Sequence, residues 1–541
     1  MDRFDKLRAT TLELCRIPSP SAAGDGENRV MDDLERRLSG ALSRKPGCCS
    51  LFRYPLPRDP YGRSHVAALW RCPSGTKDTV ILMGHVDVVE AEGYGPLTPW
   101  AYDPEELTRR MASADLPEEA RRDLRSGRFL FGRGTMDMKA GIALHLDLFE
   151  EALENPERFG VNLLFCPVVD EENDSAGMRG AIPFLTDLAR NERLRYLACL
   201  NAEPCDLGSE GPVRPLYVGT IGKIMPLALL QGREAHVGEV ALGINAALLA
   251  SSLVEALDGD PQTCERTPDG VFSPAICMGL EIRRRAYSVT VPARAAVYFN
   301  LLTVTRTPAE VLDLFRDRAS SALATALEKR QRDLTACGLL PQDAPTPRGQ
   351  VLEAGDLLEQ ARRKGFDPEG VLARLDPHLD AREKALRILE AALDAVGAQG
   401  PLAVLGFLPP YYPQRLNQNR TEGEKRLREV AQDLVGHAQR THGETLEIRE
   451  VFGGITDLSF LGFQGRKEDL EALARNLPGW GTLYDLDRER LLELDVPILN
   501  VGTAGKDAHK WTERLDTEYS FRVTPDLLRF VVDRLAEKGR P

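Results

Sequence analysis

The sequence predicts an α/β protein with a catalytic domain and a second, inserted domain. The chain has 541 residues, and single hydrophobic cores stop growing at roughly 250 to 300 residues. Short apolar runs alternate with amphipathic helical segments in the first 218 residues, which is typical of a mostly parallel sheet with helices on both faces. From about Gly219 the order changes to β-α-β-β-α-β, the order of a ferredoxin-like α+β unit.

The first 218 residues begin with helical periodicity at 2–14 and 26–42. Four apolar runs that end in polar or acidic residues then predict strands, and KAGIALHLDLFEEAL between them predicts a helix; the runs are HVAALWRC, DTVILMGHVDVV, VNLLFCPVVDEEN and LACLNAEPC. In such a sheet, ligands bind at the carboxyl ends of the strands. We therefore expect the functional residues at these strand ends.

The second domain is predicted to span residues 219–412. Residues 338–398, which are rich in charge and proline and end in the helical REKALRILEAALDAV, interrupt it as an insertion before the last strand. Residues 413–541 return to strands and helices. The catalytic domain is therefore predicted to be discontinuous, with parts at 1–218 and 413–541.

Composition excludes several classes of function. The net charge of −13 and the pI near 5.4 argue against nucleic acid as the main partner, because phosphate binding requires a basic surface. No run reaches the roughly 18 apolar residues of a membrane span, and the N-terminal MDRFDKLRATTLELCRIPSPS predicts an amphipathic helix rather than a signal peptide. Ten cysteines without a CxxC pair fit a reducing compartment. We expect a cytoplasmic protein without a membrane partner.

Two motifs place candidate metal ligands at strand ends. In GHVDVVE, His85 and Asp87 lie two residues apart, so a carboxylate can orient a neighbouring imidazole ligand; a structural histidine is the alternative. In FGRGTMDMKAG, glycines permit a tight turn that presents Asp137. A carboxylate there can bridge two cations, or it can simply cap the following helix.

A third motif, VVDEENDSAG, places Asp170, Glu171 and Glu172 directly after an apolar run. Like charges this close together are costly unless a cation compensates them or solvent reaches them. The motif therefore favours a metal site, with a solvated acidic turn as the alternative.

Taken together, these motifs resemble a known family. GHVDVV, Trp100 with Asp103 and Pro104, GRGTMDMKAG and DEE occur in the order and spacing of the dizinc metallopeptidases that include aminoacylase, carboxypeptidase G, acetylornithine deacetylase and succinyl-diaminopimelate desuccinylase. The insertion, the FLPPYYPQ segment at 407–414 and GGITDLSFLG are most similar to the RocB-like arginine-utilisation branch.

The resemblance implies a dinuclear site with zinc as the first choice of metal and Co²⁺ or Mn²⁺ as alternatives. By resemblance, Glu171 is the general base and Asp87 orients a histidine ligand. The implied metal ligands are His85, Asp137 as the bridge, Glu172, Glu203 in LNAEPCD and His509 in GTAGKDAHKWTERLD, where Glu513 follows.

The resemblance also implies a substrate region and a dimer. The inserted domain would act as a lid and dimerisation domain, in which His236 of LLQGREAHVGEV reaches the active site of a neighbouring subunit in a homodimer. In GGITDLSF, Gly453, Gly454 and Thr456 would lie near substrate, with Asp457 structural. Where many members carry an arginine that grips a substrate carboxylate, PARAAVYFNLL has Asn300.

We therefore expect a metal-dependent hydrolase that cleaves an amide bond of an N-acyl amino acid or a small peptide, linked to arginine or amino-acid catabolism. The sequence is compatible with both a deacylase and a dipeptidase. By resemblance, the glutamate at position 203 favours a deacylase. A non-catalytic metal-binding scaffold or regulator with the same fold is the alternative, although such a protein has no need of Glu171 beside Glu172.

Overall fold

A computed structural model describes residues 2–43, 47–206, 213–284 and 286–538. The chain forms two compact units. The catalytic unit comprises Met1–Thr220, Arg415–Gly462 and Arg490–Pro541, and the inserted unit comprises Ile221–Gln414 and Phe463–Glu489.

The segment Phe463–Glu489 lies in the inserted unit, whereas the prediction places it in the closing part of the catalytic domain. Its helix Lys467–Asn476 buries Leu470 and Leu473, and Asp469 accepts a hydrogen bond from the hydroxyl of Thr307 at 2.9 Å. Because Thr307 is far from Asp469 along the chain, no local sequence pattern indicates that this segment belongs to the inserted unit.

The main sheet of the catalytic unit has eight strands and is mixed, with more parallel than antiparallel pairings. The strands lie in the order Cys49–Pro55, Ser64–Trp70, Asn162–Val168, Asp78–His85, Arg195–Asn201, Ile498–Asn500, Val213–Tyr217 and Thr445–Arg449. Of the seven pairs of neighbouring strands in this order, the first, second and sixth are antiparallel and the other four are parallel. The first pair is a hairpin, and a short connection permits only antiparallel pairing.

Three adjacent parallel strands at the centre position the candidate site. Asp78–His85 pairs with Asn162–Val168 on one side and with Arg195–Asn201 on the other. The first two are buried along their whole length, which explains their continuous apolar sequences. Because the strands are parallel, their carboxyl ends meet at one edge of the sheet.

Helices pack against the strands of the catalytic unit, and the two predicted N-terminal helices are confirmed. A four-stranded sheet joins Phe129–Phe131, Arg514–Asp516, Ala504–Lys506 and Cys205–Asp206, and Gly219–Thr220 pairs with Arg415–Leu416. The α-helices that lie wholly within the unit are Arg3–Cys15, Gly26–Leu42, Pro104–Met111, Glu118–Ser126, Ala140–Glu154, Ala176–Glu192, Glu422–His442 and Thr524–Lys538. Within the described part of the chain, no helix combines the length and the apolar character needed to cross a membrane.

The inserted unit has a five-stranded sheet in the order Ile276–Ile282, Arg294–Thr303, Gly222–Gln231, Leu402–Tyr412 and Gln350–Glu353. With the helices Ala246–Leu257 and Pro308–Ala336, the first four strands follow the chain order β-α-β-β-α-β. The fifth strand comes from the insertion and pairs parallel to the fourth. The insertion also supplies the helices Ala354–Arg363, Pro368–Leu372 and Ala381–Val396, so it extends the sheet and its core.

Candidate active site

The buried His85 is the centre of the first group of candidate ligands. It ends the strand Asp78–His85, and its Nε2 lies 3.1 Å from Oδ1 of Asp137 and 3.5 Å from Oε1 of Glu203. Glu203 follows the neighbouring strand Arg195–Asn201, so the parallel pairing brings it to the same edge of the sheet. One imidazole nitrogen and two carboxylates therefore converge here.

His509 is the centre of a second group, and Asp137 is shared by both. Nε2 of His509 lies 3.0 Å from Oδ2 of Asp137 and 3.0 Å from Oε1 of Glu172. Asp137 thus directs one carboxylate oxygen at His85 and the other at His509. This is the arrangement expected of a carboxylate that bridges two metal ions, and it brings all five candidate ligands together.

Glu171 lies beside these groups, and Asp87 fixes its backbone. Oε2 of Glu171 is 4.0 Å from Nε2 of His85. The backbone N–H groups of Glu171 and Glu172 donate to the two carboxylate oxygens of Asp87 at 3.1 and 3.0 Å. Nδ1 of His85 is closer to the backbone carbonyl oxygen of Asp87, at 3.0 Å, than to its carboxylate, at 3.6 Å. The Asp87 carboxylate therefore mainly positions the two glutamates.

The electrostatics of the cluster favour bound cations. Burial, together with the neighbouring carboxylates, raises the pKa of Glu171 well above its ordinary value and that of Glu172 to about 6. Hydrogen bonds to Asp137 and Glu172 raise the pKa of His509 to about 10. Burial by itself would lower the pKa of His85, but the surrounding carboxylates raise this pKa well above its ordinary value.

The buried carboxylates of the cluster repel one another, and bound divalent cations would relieve this repulsion. Two imidazole nitrogens and three carboxylates, arranged in two groups that share one carboxylate, are ligands that zinc accepts. The donor set therefore fits a dinuclear centre.

Arg133 connects the segments that carry Asp137 and His509, and the sequence reasoning missed it. Its guanidinium forms an ion pair with Glu513 and donates to the backbone carbonyl oxygen of His509 at 3.0 Å. Oε1 of Glu513 accepts from the backbone N–H groups of Met136 at 3.3 Å and Asp137 at 3.5 Å. The pair thus ties the turn of Asp137 to the loop of His509. The arginine within GRG was its only sequence signal.

Close backbone approach shapes the same region. A Cβ atom on Gly502 would lie 1.9 Å from the carbonyl oxygen of Glu203, so only glycine fits there. Asp170 and His509 have φ angles of 69° and 68°, a left-handed conformation that is unfavourable for residues other than glycine. Asp170 accepts a hydrogen bond from Arg63 at 2.6 Å, a contact that holds this turn. None of these constraints is evident from local sequence patterns.

The candidate substrate residues divide between the two units. Thr456 is buried in the catalytic unit, and its hydroxyl accepts from the side-chain amide of Asn201 at 3.4 Å; Gly453 and Gly454 precede it. Asp457 is buried, and burial together with nearby carboxylates raises its pKa to about 8. His236 and Asn300 belong to the inserted unit, so their roles at the site stay predictions.

Several known proteins are similar to this chain in sequence. The chain is 28% identical to Protein RocB of Bacillus subtilis (strain 168), with coverage of 100% of this chain and 96% of that protein. It is 34% identical to YqjN of the same organism, over 88% of this chain and 87% of that protein. A succinyl-diaminopimelate desuccinylase of Cupriavidus pinatubonensis is 31% identical over 33% of this chain and 42% of that protein.

Solved structures are similar in fold at low sequence identity. Aminopeptidase PepT from Bacillus cereus has a TM-score of 0.53 at 12% identity, covering 98% of this chain and 99% of that chain. The di-peptidase Dug1p from Saccharomyces cerevisiae has a TM-score of 0.52 at 14% identity, covering 99% and 98%. Residues 81–473, well over half of the sequence, match the description "Peptidase family M20/M25/M40". The chain therefore belongs to the M20/M25/M40 peptidase family.

Proposed function

We propose that this metal-dependent amidohydrolase holds two divalent ions between His85 and His509 and uses Glu171 as its general base. The observation that carries the proposal is that Asp137 directs one oxygen at each histidine, 3.1 and 3.0 Å away, with Glu171 beside them. Divalent ions held by these residues would activate water at neutral pH and polarise the scissile carbonyl. We propose zinc as the metal, because imidazole and carboxylate ligands suit it.

In this mechanism, Glu171 takes the proton from the attacking water and passes it to the leaving amine. Burial and carboxylate neighbours hold its pKa well above the ordinary value, which suits a group that must bind and release a proton near neutral pH. Asp87 keeps Glu171 and Glu172 in place through their backbone N–H groups. Arg133 and Glu513 keep the turn of Asp137 and the loop of His509 together.

We propose an N-acyl amino acid as the substrate, with a small peptide as the alternative. Among the relatives, the names desuccinylase, aminopeptidase and di-peptidase support both classes, and the glutamate at position 203 favours the deacylases by resemblance. Asn300 stands where the family pattern has an arginine, so the grip on a substrate carboxylate would be weaker. The likeness to RocB supports a link to arginine or amino-acid catabolism, and the scattered cysteines without a CxxC pair support a reducing, cytoplasmic setting.

A substrate panel tests this function. We expect the purified protein to release amines from N-acyl amino acids faster than from dipeptides. A chelator should abolish the release, and zinc, cobalt or manganese should restore it. Faster cleavage of dipeptides would select the peptidase reading. Bound metal without turnover on any member of the panel would instead support the non-catalytic scaffold.

We also propose that the protein forms a homodimer through an edge of the inserted unit. The strand Ile276–Ile282 is at the end of its sheet. Ile276, Met278, Leu280 and Ile282, which alternate along this strand, are 39% to 57% exposed. The register of this strand shifts between Cys277 and Gly279, so the alternation is interrupted there, and Leu280 and Ile282 share one face. An exposed edge strand with apolar side chains favours pairing with another chain.

The double variant Met278→Lys, Leu280→Glu is expected to convert the dimer into monomers. Dimerisation would bury its two charged side chains at the shared edge, which is costly. Light scattering coupled to size exclusion measures the mass. Leu339→Glu is the matched control, since Leu339 is also exposed and lies outside the edge strand. A monomeric wild type, or a double variant that stays dimeric, would refute this interface. If His236 acts across the dimer, the monomeric variant also loses activity.

A further inference from the structure

A second cluster of candidate metal ligands lies outside the residues described above. His437 and His442 stand in the last two turns of the helix Glu422–His442, and Asp526 stands in the first turn of the helix Thr524–Lys538. All three belong to the catalytic unit. We propose that they bind an additional transition-metal ion of the zinc type, which joins these two helices.

The ligand atoms already converge. Nε2 of His437 lies 2.7 Å from Oδ2 of Asp526, and Nε2 of His442 lies 2.9 Å from the same oxygen. Around a tetrahedral zinc ion with bonds of about 2.1 Å, ligand atoms stand roughly 3.4 Å apart. A separation of the two helices by a fraction of an ångström, or a small rotation of the side chains, would therefore admit the ion.

Neighbouring side chains fix the orientation of one ligand. The ring of His437 stacks on Phe530 with centroids 4.2 Å apart and an interplanar angle of 15°. Its Nδ1 lies 3.4 Å from the hydroxyl oxygen of Thr441. With Nδ1 directed at a polar partner, Nε2 is the nitrogen left to bind a metal, as is common for histidine ligands.

The charges around the cluster also permit a cation. Two nearby arginines interact electrostatically with Asp526, but their ion pairs are with other carboxylates. Arg158 pairs with Asp533 at 2.8 Å and Arg529 pairs with Glu151 at 3.3 Å.

The ligand types and their exposure identify the class of ion. The side chains of both histidines are 20% exposed and that of Asp526 is 32% exposed, so water can complete the coordination. Two imidazoles with one carboxylate select zinc, copper, nickel or iron over magnesium or calcium, which prefer oxygen ligands. The site would stabilise helix packing without taking part in the chemistry at Glu171.

Metal counting on the full-length protein tests the proposal. Four proteins are stripped of metal with a chelator and dialysed against the same low zinc concentration: wild type, His442→Asn, Asp526→Asn and His378→Asn. The last is the control, because it alters an exposed histidine. Mass spectrometry of the metal then gives zinc per chain. We expect His442→Asn and Asp526→Asn each to hold one zinc ion fewer than the wild type and His378→Asn. Equal counts in all four proteins would overturn the site.

A melting experiment covers the case in which a variant is poorly folded. In a protein that carries Asp137→Ala, zinc should still raise the melting temperature, because the additional site is intact, whereas magnesium at the same concentration should not. Adding His437→Gln should remove this zinc effect while circular dichroism stays unchanged. A zinc effect that persists in the double variant, or that magnesium reproduces, would overturn the proposal.

Discussion

Replacing Glu171 with glutamine is expected to lower kcat by about 10²- to 10⁴-fold, the usual contribution of a general base, while the metal content stays as in the wild type. Glutamine keeps the size of the buried side chain but cannot take a proton from water. Glu171 is 4.0 Å from Nε2 of His85 and is not among the five candidate ligands. Steady-state kinetics on the best substrate and metal analysis of the same preparation measure both effects.

Two further variants make this result specific. Glu447→Gln removes a carboxylate from an exposed position in the catalytic unit and should leave kcat unchanged. Glu171→Asp keeps the carboxylate but shortens its reach, so it should retain more activity than Glu171→Gln. If Glu171→Gln turns over at the wild-type rate, another group is the base; if it loses its metal, Glu171 is a ligand instead.

Much of the candidate site could be predicted because it follows directly from strand ends. His85 and Glu171 come at or just after the carboxyl ends of two apolar runs, and those runs form adjacent parallel strands. Asp137 could be nominated from the glycines around it, whereas Glu203 and His509 needed the family resemblance. The backbone of Asp137 is non-helical within Thr135–Lys139 and His509 lies in a turn, and no periodicity predicts the direction of either side chain.

The constraints that sequence reasoning missed depend on pairs of residues far apart in the chain. Arg133 and Glu513 are separated by 380 positions, and Gly502 matters only because the carbonyl of Glu203 approaches it. The same holds for His437 and His442. They had no motif context, because Asp526 comes from another helix.

The fold shows a similar division. Helix bounds at the N-terminus and the β-α-β-β-α-β order could be predicted, since periodicity and turn residues mark them. The strand Gln350–Glu353 could not, because four residues within a charged, proline-rich stretch carry too little pattern. Its pairing with Leu402–Tyr412 is decided by packing in the inserted unit.

Replacing Asp137 with alanine is expected to empty both sites of the dinuclear centre, because Asp137 contributes an oxygen to each. The first site would keep only His85 and Glu203, and the second only His509 and Glu172, whereas catalytic zinc sites use about three protein ligands. His509→Ala is the contrast, since it weakens the second site and leaves the first complete.

In proteins that also carry His442→Asn, to exclude the additional site, we expect about two zinc ions per chain for the parent, about one with His509→Ala and about none with Asp137→Ala. Several kcal/mol of transition-state stabilisation by the metals corresponds to a loss of activity of about 10³-fold or more in Asp137→Ala. Metal analysis and kinetics on the same samples measure this. If Asp137→Ala and His509→Ala retain equal zinc, Asp137 is not a bridge, and the two groups of ligands would have to be read as independent sites.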